Sequence, residues 1–414
     1  MPQNVSSSSS NRFALTLIFF VVLIDQIGWG MVIPILPTYA KAFQAGPVAI
    51  GWLLASYSIV QFFCAPLLGR WSDRIGRKPI LVVSILGTVL ASAATGFAST
   101  MHDLSAALIV LFVARMLDGA TGGNTATALS YAADVTTPEK RAQGLGMVGA
   151  AVGLGYTIGP AFGGLIAQRF GPATPFYVAA AVALVNMFVM WGLLPETISP
   201  ELRRRAEEKG RVVVSLLDAL RNPNINGLLI VQFLIIFAAS CYQMMMPLFT
   251  NVKYGFTEHE NGYLFAFLGL TTTFVQGGLI RPLVKRAGEA AILAIGLALL
   301  FGSLAVTPLA ASVAALAWFS GGLAAGTALC NPTILALISR RTQVSEQGEA
   351  LGFTASMASL ARIAAPAWGG YAMKHVGPPS PFYSGAVACA VALGLFGLIA
   401  LRAGNHMRPE ANPS

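Results

Sequence analysis

Asp25 stands in the middle of the apolar run 13–36, a lone carboxylate where the neighbours are almost all hydrocarbon. An ionised side chain at the centre of a bilayer costs about 2.5–3.5 kcal/mol on insertion scales. Burial disfavours the charged form of an acid, so a carboxyl in such a place can rest neutral and ionise when water arrives. That is the behaviour of a proton carrier. A structural reading stands beside it: the carboxyl satisfies local backbone near Gly28, Gly30 and Pro34. Arg115 and Asp118 lie three apart in the run 106–131, on one helical face, where each can neutralise the other. Arg362, in the run 348–372, is the remaining intramembrane charge. It either excludes cations and attracts anionic or carbonyl groups, snorkels, or bonds carbonyls freed by Pro366 four residues on. No other acid lies well inside an apolar run. No nucleophile–base set accompanies these residues, and Cys64, Cys241, Cys330 and Cys389 each stand alone in an apolar segment, so neither a disulfide framework nor a metal site is indicated and an enzyme is not expected.

Polar, uncharged residues in the same runs suit a binding cavity. Tyr57 and Gln61 are four apart on one helical face, and Asn124, Gln243, Gln276 and Asn331 add amides in four further runs. Three methionines in "CYQMMMPLF" (241–249) adapt to irregular shapes. Apolar walls with a few polar groups fit amphiphilic, drug-like cargo, although interhelical amide bonds are also common packing devices.

The elements that must hold these residues are membrane spans. The chain has 414 residues, 55% hydrophobic and only 10% charged, against about a quarter charged in soluble domains. Twelve runs are long enough to cross a bilayer: 13–36, 49–69, 79–98, 106–131, 142–168, 174–194, 225–248, 260–283, 289–309, 313–337, 348–372 and 380–401. The first is too long for a cleaved signal peptide and carries Asp25 and Pro34. Of the 26 lysines and arginines, 20 fall on one set of connections and the tails, four on the other, and Arg115 and Arg362 inside spans. Such a bias places both termini in the cytoplasm. It also explains the net charge of +9 without nucleic acid, because the basic residues are spread over every connection on one side. Residues 1–12 read as a disordered tail, 13–194 as a six-helix half, 195–224 as a charged cytoplasmic linker, 225–401 as a second six-helix half, and 402–414 as a tail.

The halves resemble each other. "LLGRWSDRIGRKPIL" (67–81) aligns with "LIRPLVKRAGEAAIL" (279–293), and "GPAFGGLIAQRFGPATPFY" (159–177) with "APAWGGYAMKHVGPPSPFY" (365–383). Repeated six-helix halves suggest a transporter with its site between them. In "GLGYTIGPAFGG" (153–164), Gly155, Gly159 and Gly163 recur every four residues. This spacing predicts a helix with one smooth strip for close packing, whose backbone groups freed by Pro160 are satisfied by neighbours.

The segment "GRWSDRIGRKP" (69–79) resembles the loop motif of the major facilitator superfamily, and "GYTIGPAFGG" (155–164) resembles the fifth-helix motif of its drug:proton antiporters. "IDQIGWGMVIPILP" (24–37) and "SYSIVQFFCAPLLG" (56–69) are similar to the first two helices of the tetracycline-efflux branch. The resemblance covers essentially the whole chain. It implies an all-α membrane protein of twelve transmembrane helices in two pseudo-repeats. In the loop motif Gly69, Asp73, Arg74, Gly76, Arg77 and Lys78 would form a cytoplasmic gate, with Asp73 touching the start of the eleventh helix and Arg141. "RMLDG" resembles the fourth-helix arginine motif, which implies a part in proton transfer for Arg115 with Asp118 and Asp25; a self-contained ion pair is the other reading. The strip Gly155, Gly159, Pro160, Gly163 and Gly164 would seal the cavity against leak. Two departures bear on cargo. The best-known tetracycline exporters carry ionisable residues in spans eight and nine, where this chain has none until Arg281 and Glu289 at the ends. Lys285 also replaces the repeat's counterpart of Asp73.

The reading is a monomeric, multi-pass transporter of a bacterial inner membrane. It exports a hydrophobic or amphiphilic compound against protons, powered by the proton gradient without cofactor or metal, its partners being cargo, protons and lipid. The alternatives are a proton-coupled metabolite transporter working by symport or uptake, and a transporter-like receptor without flux.

Overall fold

A backbone in hydrocarbon has no water to satisfy its N–H and C=O groups, so a long apolar run folds as a helix. The computed structural model describes residues 8–137, 141–197, 225–342 and 347–405, apart from the side chains of 8–12, 142, 347–351 and 402–405. The described residues are helical almost throughout and contain no strand. The fold is therefore an all-α membrane protein. Residues 1–7, most of the expected linker (198–224) and 406–414 lie outside the described residues.

The helices of the first part of the chain are α1 (Ser8–Val32), α2 (Leu36–Lys41), α3 (Pro47–Ile75), α4 (Arg77–Phe97), α5 (Leu104–Thr121), α6 (Asn124–Asp134), α7 (Arg141–Phe170) and α8 (Thr174–Leu193). Then come α9 (Asn226–Tyr254), α10 (Glu258–Phe274), a π-helical turn Val275–Leu279, α11 (Ile280–Val306), α12 (Val313–Arg340), α13 (Gln347–His375) and α14 (Ser380–Asn405). Residues 8–12, expected as tail, already belong to α1; once a helix is nucleated, each added residue costs little. Among the described residues, ten runs are long and apolar enough to cross a membrane. One of them, Glu258–Leu309, has 52 residues. At 1.5 Å per residue that is about 78 Å of helix, more than twice the hydrocarbon core. It breaks at Gly288, where φ is 79° and ψ 160°, and so contains the two expected spans 260–283 and 289–309. The expected eleventh span is α13, richer in Ala, Gly, Ser and Thr than the others.

Two interruptions matter for the site. α1 ends before Pro34, which lacks the N–H that a continuing helix would need, and α2 restarts the run. The fourth span, expected to be continuous, breaks at Gly122–Gly123 into α5 and α6.

The internal repeat is written in the backbone. Gly76 and Gly288, aligned in the sequence repeat, have φ of 128° and 79°; Gly171 and Gly377, also aligned, have 95° and 128°. These are left-handed conformations that favour glycine, so both pairs turn the chain alike. α8 and α14 also begin at equivalent residues, Thr174 and Ser380.

The chain divides into two compact units. Unit 1 is Met1–Val212 with Met246–Gly269, and unit 2 is Val213–Met245 with Leu270–Ser414. In unit 1, α1 packs along α7 and α8, α4 along α5 and α8, and α3 along α5. Its core joins Ile18 and Val21 of α1, Leu81 and Ile85 of α4, Tyr131 of α6, Ala151 of α7 and Met190 of α8. In unit 2, α11 packs on α12 and α14, and backbone meets backbone where Gly296 faces Gly326. Large apolar side chains stand exposed on the helices, among them Phe63, Ile109, Val185 and Trp191, as lipid-facing surface requires.

Candidate functional site

The fold collects the intramembrane charges of unit 1 around one small cavity. Asp25 and Trp29 of α1, Thr88 of α4, Arg115 and Asp118 of α5 and Phe176 of α8 are among its lining residues. The space open to a water's centre is about 20 Å³, enough for one or two waters.

The two acids are compensated differently. Asp118 pairs with Arg115 Nη1 at 3.1 Å and accepts a hydrogen bond from Thr88 Oγ1 at 3.2 Å. The Arg115 guanidinium also lies over the Tyr57 ring, 4.6 Å from its centroid. Arg115 is buried, and its Nε has no hydrogen-bond partner. Asp25 accepts from amides only: Asn124 Nδ2 at 2.9 Å and Gln26 Nε2 at 3.2 Å. Among the described residues no cation pairs with it. Asn124 is the first residue of α6, directly beyond the Gly122–Gly123 break, so this bond ties the first span to the broken fourth span.

Tyr57 and Gln61 support that break. Gln61 Nε2 donates to the Gly122 carbonyl at 2.7 Å, a backbone group released by the interruption, and contacts the Tyr57 hydroxyl at 3.0 Å. Gly119 and Gly122 let the two helices meet here; a Cβ on Gly122 would lie 2.8 Å from the Tyr57 hydroxyl. The other amides expected in the cavity belong to unit 2. Gln243 is half-buried in α9, and Gln276 is exposed on the π turn. Asn331 in α12 has a buried Oδ1 without a partner. Arg362 is half-buried in α13 and makes no hydrogen bond to a carbonyl among the described residues.

The loop-motif residues form an ionic cluster in unit 1. Gly69 lies within α3, where a Cβ would meet nothing. Gly76 makes the sharp turn between α3 and α4, and Arg74 and Lys78 flank it. Arg77 Nη1 pairs with Asp73 at 2.6 Å and its Nε with Asp134 at 3.1 Å. Glu196 accepts the backbone N–H groups of Arg77 and Lys78 at 3.0 and 3.2 Å, a carboxylate at the N-terminus of α4, where the helix dipole favours it. Arg141 is exposed at the start of α7. The expected contact of Asp73 with the start of the eleventh span falls on residues 343–346 and on side chains outside the described residues.

The glycine strip is helical, as its spacing predicts: α7 runs unbroken through Pro160. Gly155, Gly159 and Gly163 all face α1, and a Cβ on Gly159 would lie 2.6 Å from the Ile27 carbonyl oxygen. Gly164 faces the other way, toward Glu258 and Gly262 of unit 1.

The family model described as Major Facilitator Superfamily matches residues 18–326 and 279–413. The chain belongs to this superfamily. It is therefore an integral membrane transporter, in a family of transporters rather than enzymes. Among its superfamily relatives, a tetracycline resistance protein, class E, of Escherichia coli is 32% identical over 365 residues, 84% of each chain. Multidrug resistance protein 2 of Bacillus subtilis (strain 168) is 28% identical over 386 residues, 91% of this chain and 94% of that one. The crystal structure of the human organic anion transporter MFSD10 (TETRAN) superposes with a TM-score of 0.68 at 23% identity, covering 93% of this chain and 99% of that one; this likeness speaks for the superfamily fold.

Sequence reasoning missed Thr88, Asp134 and Glu196. A signal for the last two was present. The loop motif has four cations and one acid, so its remaining counter-charges had to come from acids at the same ends of neighbouring spans. Thr88 had none, since a threonine in an apolar helix usually bonds its own backbone.

Proposed function

We infer that this superfamily member exports a hydrophobic or amphiphilic, drug-like compound in exchange for protons, with Asp25 as the residue that takes and releases them. It would do so as a twelve-span monomer with both termini in the cytoplasm of a bacterial cell, exposing its cargo site alternately to the two sides without a cofactor. The observation that carries this reading is an intramembrane carboxylate held by amides alone, sharing a water-sized cavity with the Arg115–Asp118 pair. The multidrug and tetracycline resistance names of the relatives support export and drug-like cargo.

The geometry suggests how charge is converted into movement. An ionised Asp25 accepts the Asn124 bond strongly, since a charged acceptor makes a hydrogen bond roughly twice as strong as a neutral one. Protonation weakens the tie between α1 and α6. The fourth span is already interrupted at Gly122–Gly123, so α6 can respond without breaking a continuous helix. Asp118 stays committed to Arg115 and Thr88 throughout.

The test is purified protein in liposomes with an imposed pH gradient and a panel of drugs that includes tetracycline. Cargo should move opposite to protons, and dissipating the gradient should stop it. Cargo moving in the same direction as protons would replace export by symport. Binding without any flux would make the protein a receptor.

A further inference from the structure

A second, wider recess of about 340 Å³ lies in unit 1, lined by Tyr39 and Phe43 of the α2 region, Ser99 and Met101 of the connection after α4, and Phe170–Ala173 between α7 and α8. By the charge bias of the connections, this end faces away from the cytoplasm. The acid cavity reaches toward it. On α4 the cavity is lined by Thr88, Ser92 and Thr95, a row of hydroxyls that rises about 10 Å along one helical face. The other walls mix small residues, Gly28, Ala114, Ala179 and Ala183, with the larger Ile24, Trp29 and Val32.

A pair of touching rings connects a wall of the recess to a wall of the cavity. Tyr39 lines the recess and Phe176 lines the cavity, with their centroids 4.8 Å apart. Phe176 is fully buried and Tyr39 is 2% exposed. The Tyr39 hydroxyl is fixed by the carbonyls of Thr95 and Gly96, at 3.0 and 3.4 Å, and its ring is backed by Phe43. At the inner end the cavity is lined by buried Arg115, whose Nε has no hydrogen-bond partner and whose guanidinium lies over the Tyr57 ring.

We propose that protons enter from the extracytoplasmic side through the interior of unit 1, along the Thr88–Ser92–Thr95 face to Asp25, and that the Tyr39–Phe176 pair is the barrier on this route. The inference rests on the proton-coupled reading above. Chemically it needs only transfer along waters to the Asp25 carboxylate; Thr88 Oγ1 and Thr95 Oγ1, which donate to Asp118 and to the Ala91 carbonyl, offer those waters acceptor oxygens rather than passing a proton on, and Arg115 and Asp118 neutralise each other beside the route. The two rings keep water from bridging recess and cavity until they part.

The test measures proton uptake into liposomes with an internal pH-sensitive dye and no cargo at all. Phe176→Ala joins recess and cavity and should raise cargo-free proton uptake at least tenfold over the natural protein. Adding Asp25→Asn should remove that rise, because protons reach the lumen only by binding Asp25 from this route and leaving it when the protein opens to the other side. Phe176→Leu, which keeps most of the bulk, should stay near the natural rate. If Phe176→Ala fails to fold, as judged by size-exclusion profile and melting, Tyr39→Ala opens the same barrier from the recess side and decides instead. A folded opening variant with unchanged uptake, or a leak indifferent to Asp25→Asn, overturns the route. Failure of the wider reading looks different: the natural protein would then exchange no protons for any drug in the panel, whatever these variants do without cargo.

Discussion

Asp25 and Asp118 line the same cavity, yet they are compensated differently, one by amides and the other by a guanidinium. Asp118 is bound to Arg115 at 3.1 Å, both side chains being largely buried. Removing one member of a buried pair leaves the other uncompensated, at a cost of about 3–5 kcal/mol. Asp118→Asn should therefore lower the melting temperature in detergent clearly, whereas Asp25→Asn, which exchanges a carboxyl held by amides for another hydrogen-bonding group, should melt near the natural protein. Asp25→Asn should instead lose at least tenfold in pH-driven exchange while inserting normally. Equal melting of the two variants would count against the division of labour, and full exchange by Asp25→Asn would end the case for Asp25. At this scale the sequence was informative because charges in apolar runs are rare and expensive. The different partners of the two acids were not legible, since they depend on Asn124, ninety-nine positions from Asp25, and on the reach of Thr88 from another helix.

Among the elements, α7 shows what residue spacing can and cannot specify. Glycines every four residues imply a flat strip, and the strip does meet α1 backbone to backbone. The partner helix was not legible, because any neighbour fits a flat strip. The prediction here separates contact from composition. A Cβ on Gly159 would lie 2.6 Å from a carbonyl oxygen of α1, while one on Gly153 would meet nothing within 4 Å. Overpacking costs about 1–3 kcal/mol, so Gly159→Ala should lower thermal stability in detergent and Gly153→Ala should leave it unchanged or raise it slightly. Matching effects at the two positions would show that helix propensity, not the α1 contact, explains the glycines. The break of the fourth span was hidden for a related reason. In lipid a Gly-Gly pair reads equally well as close packing, and the structure uses Gly122 both ways, as an interruption and as the seat of Tyr57 and Gln61. The repeat did leave a signal of the turns: Gly76 and Gly288, like Gly171 and Gly377, sit at aligned positions and share the left-handed conformation.

At the scale of the whole molecule, one exchanging carboxyl makes a definite electrical statement. If Asp25 alone carries the proton, each cycle brings in one positive charge and sends out one cargo molecule. For a neutral cargo the cycle moves one net charge, and 100 mV contributes about 2.3 kcal/mol, a gradient of roughly fifty-fold. For a monovalent cation the charges cancel and the membrane potential contributes nothing. Liposomes given a potassium-diffusion potential without a pH gradient should therefore drive exchange of a neutral drug and leave a monovalent cationic drug unmoved, whereas a pH gradient should drive both. A potential that drives the cation as well would mean more than one proton per cycle. A second carboxyl would then have to titrate, and Asp118, the other acid lining the cavity, would have to leave Arg115 to do so.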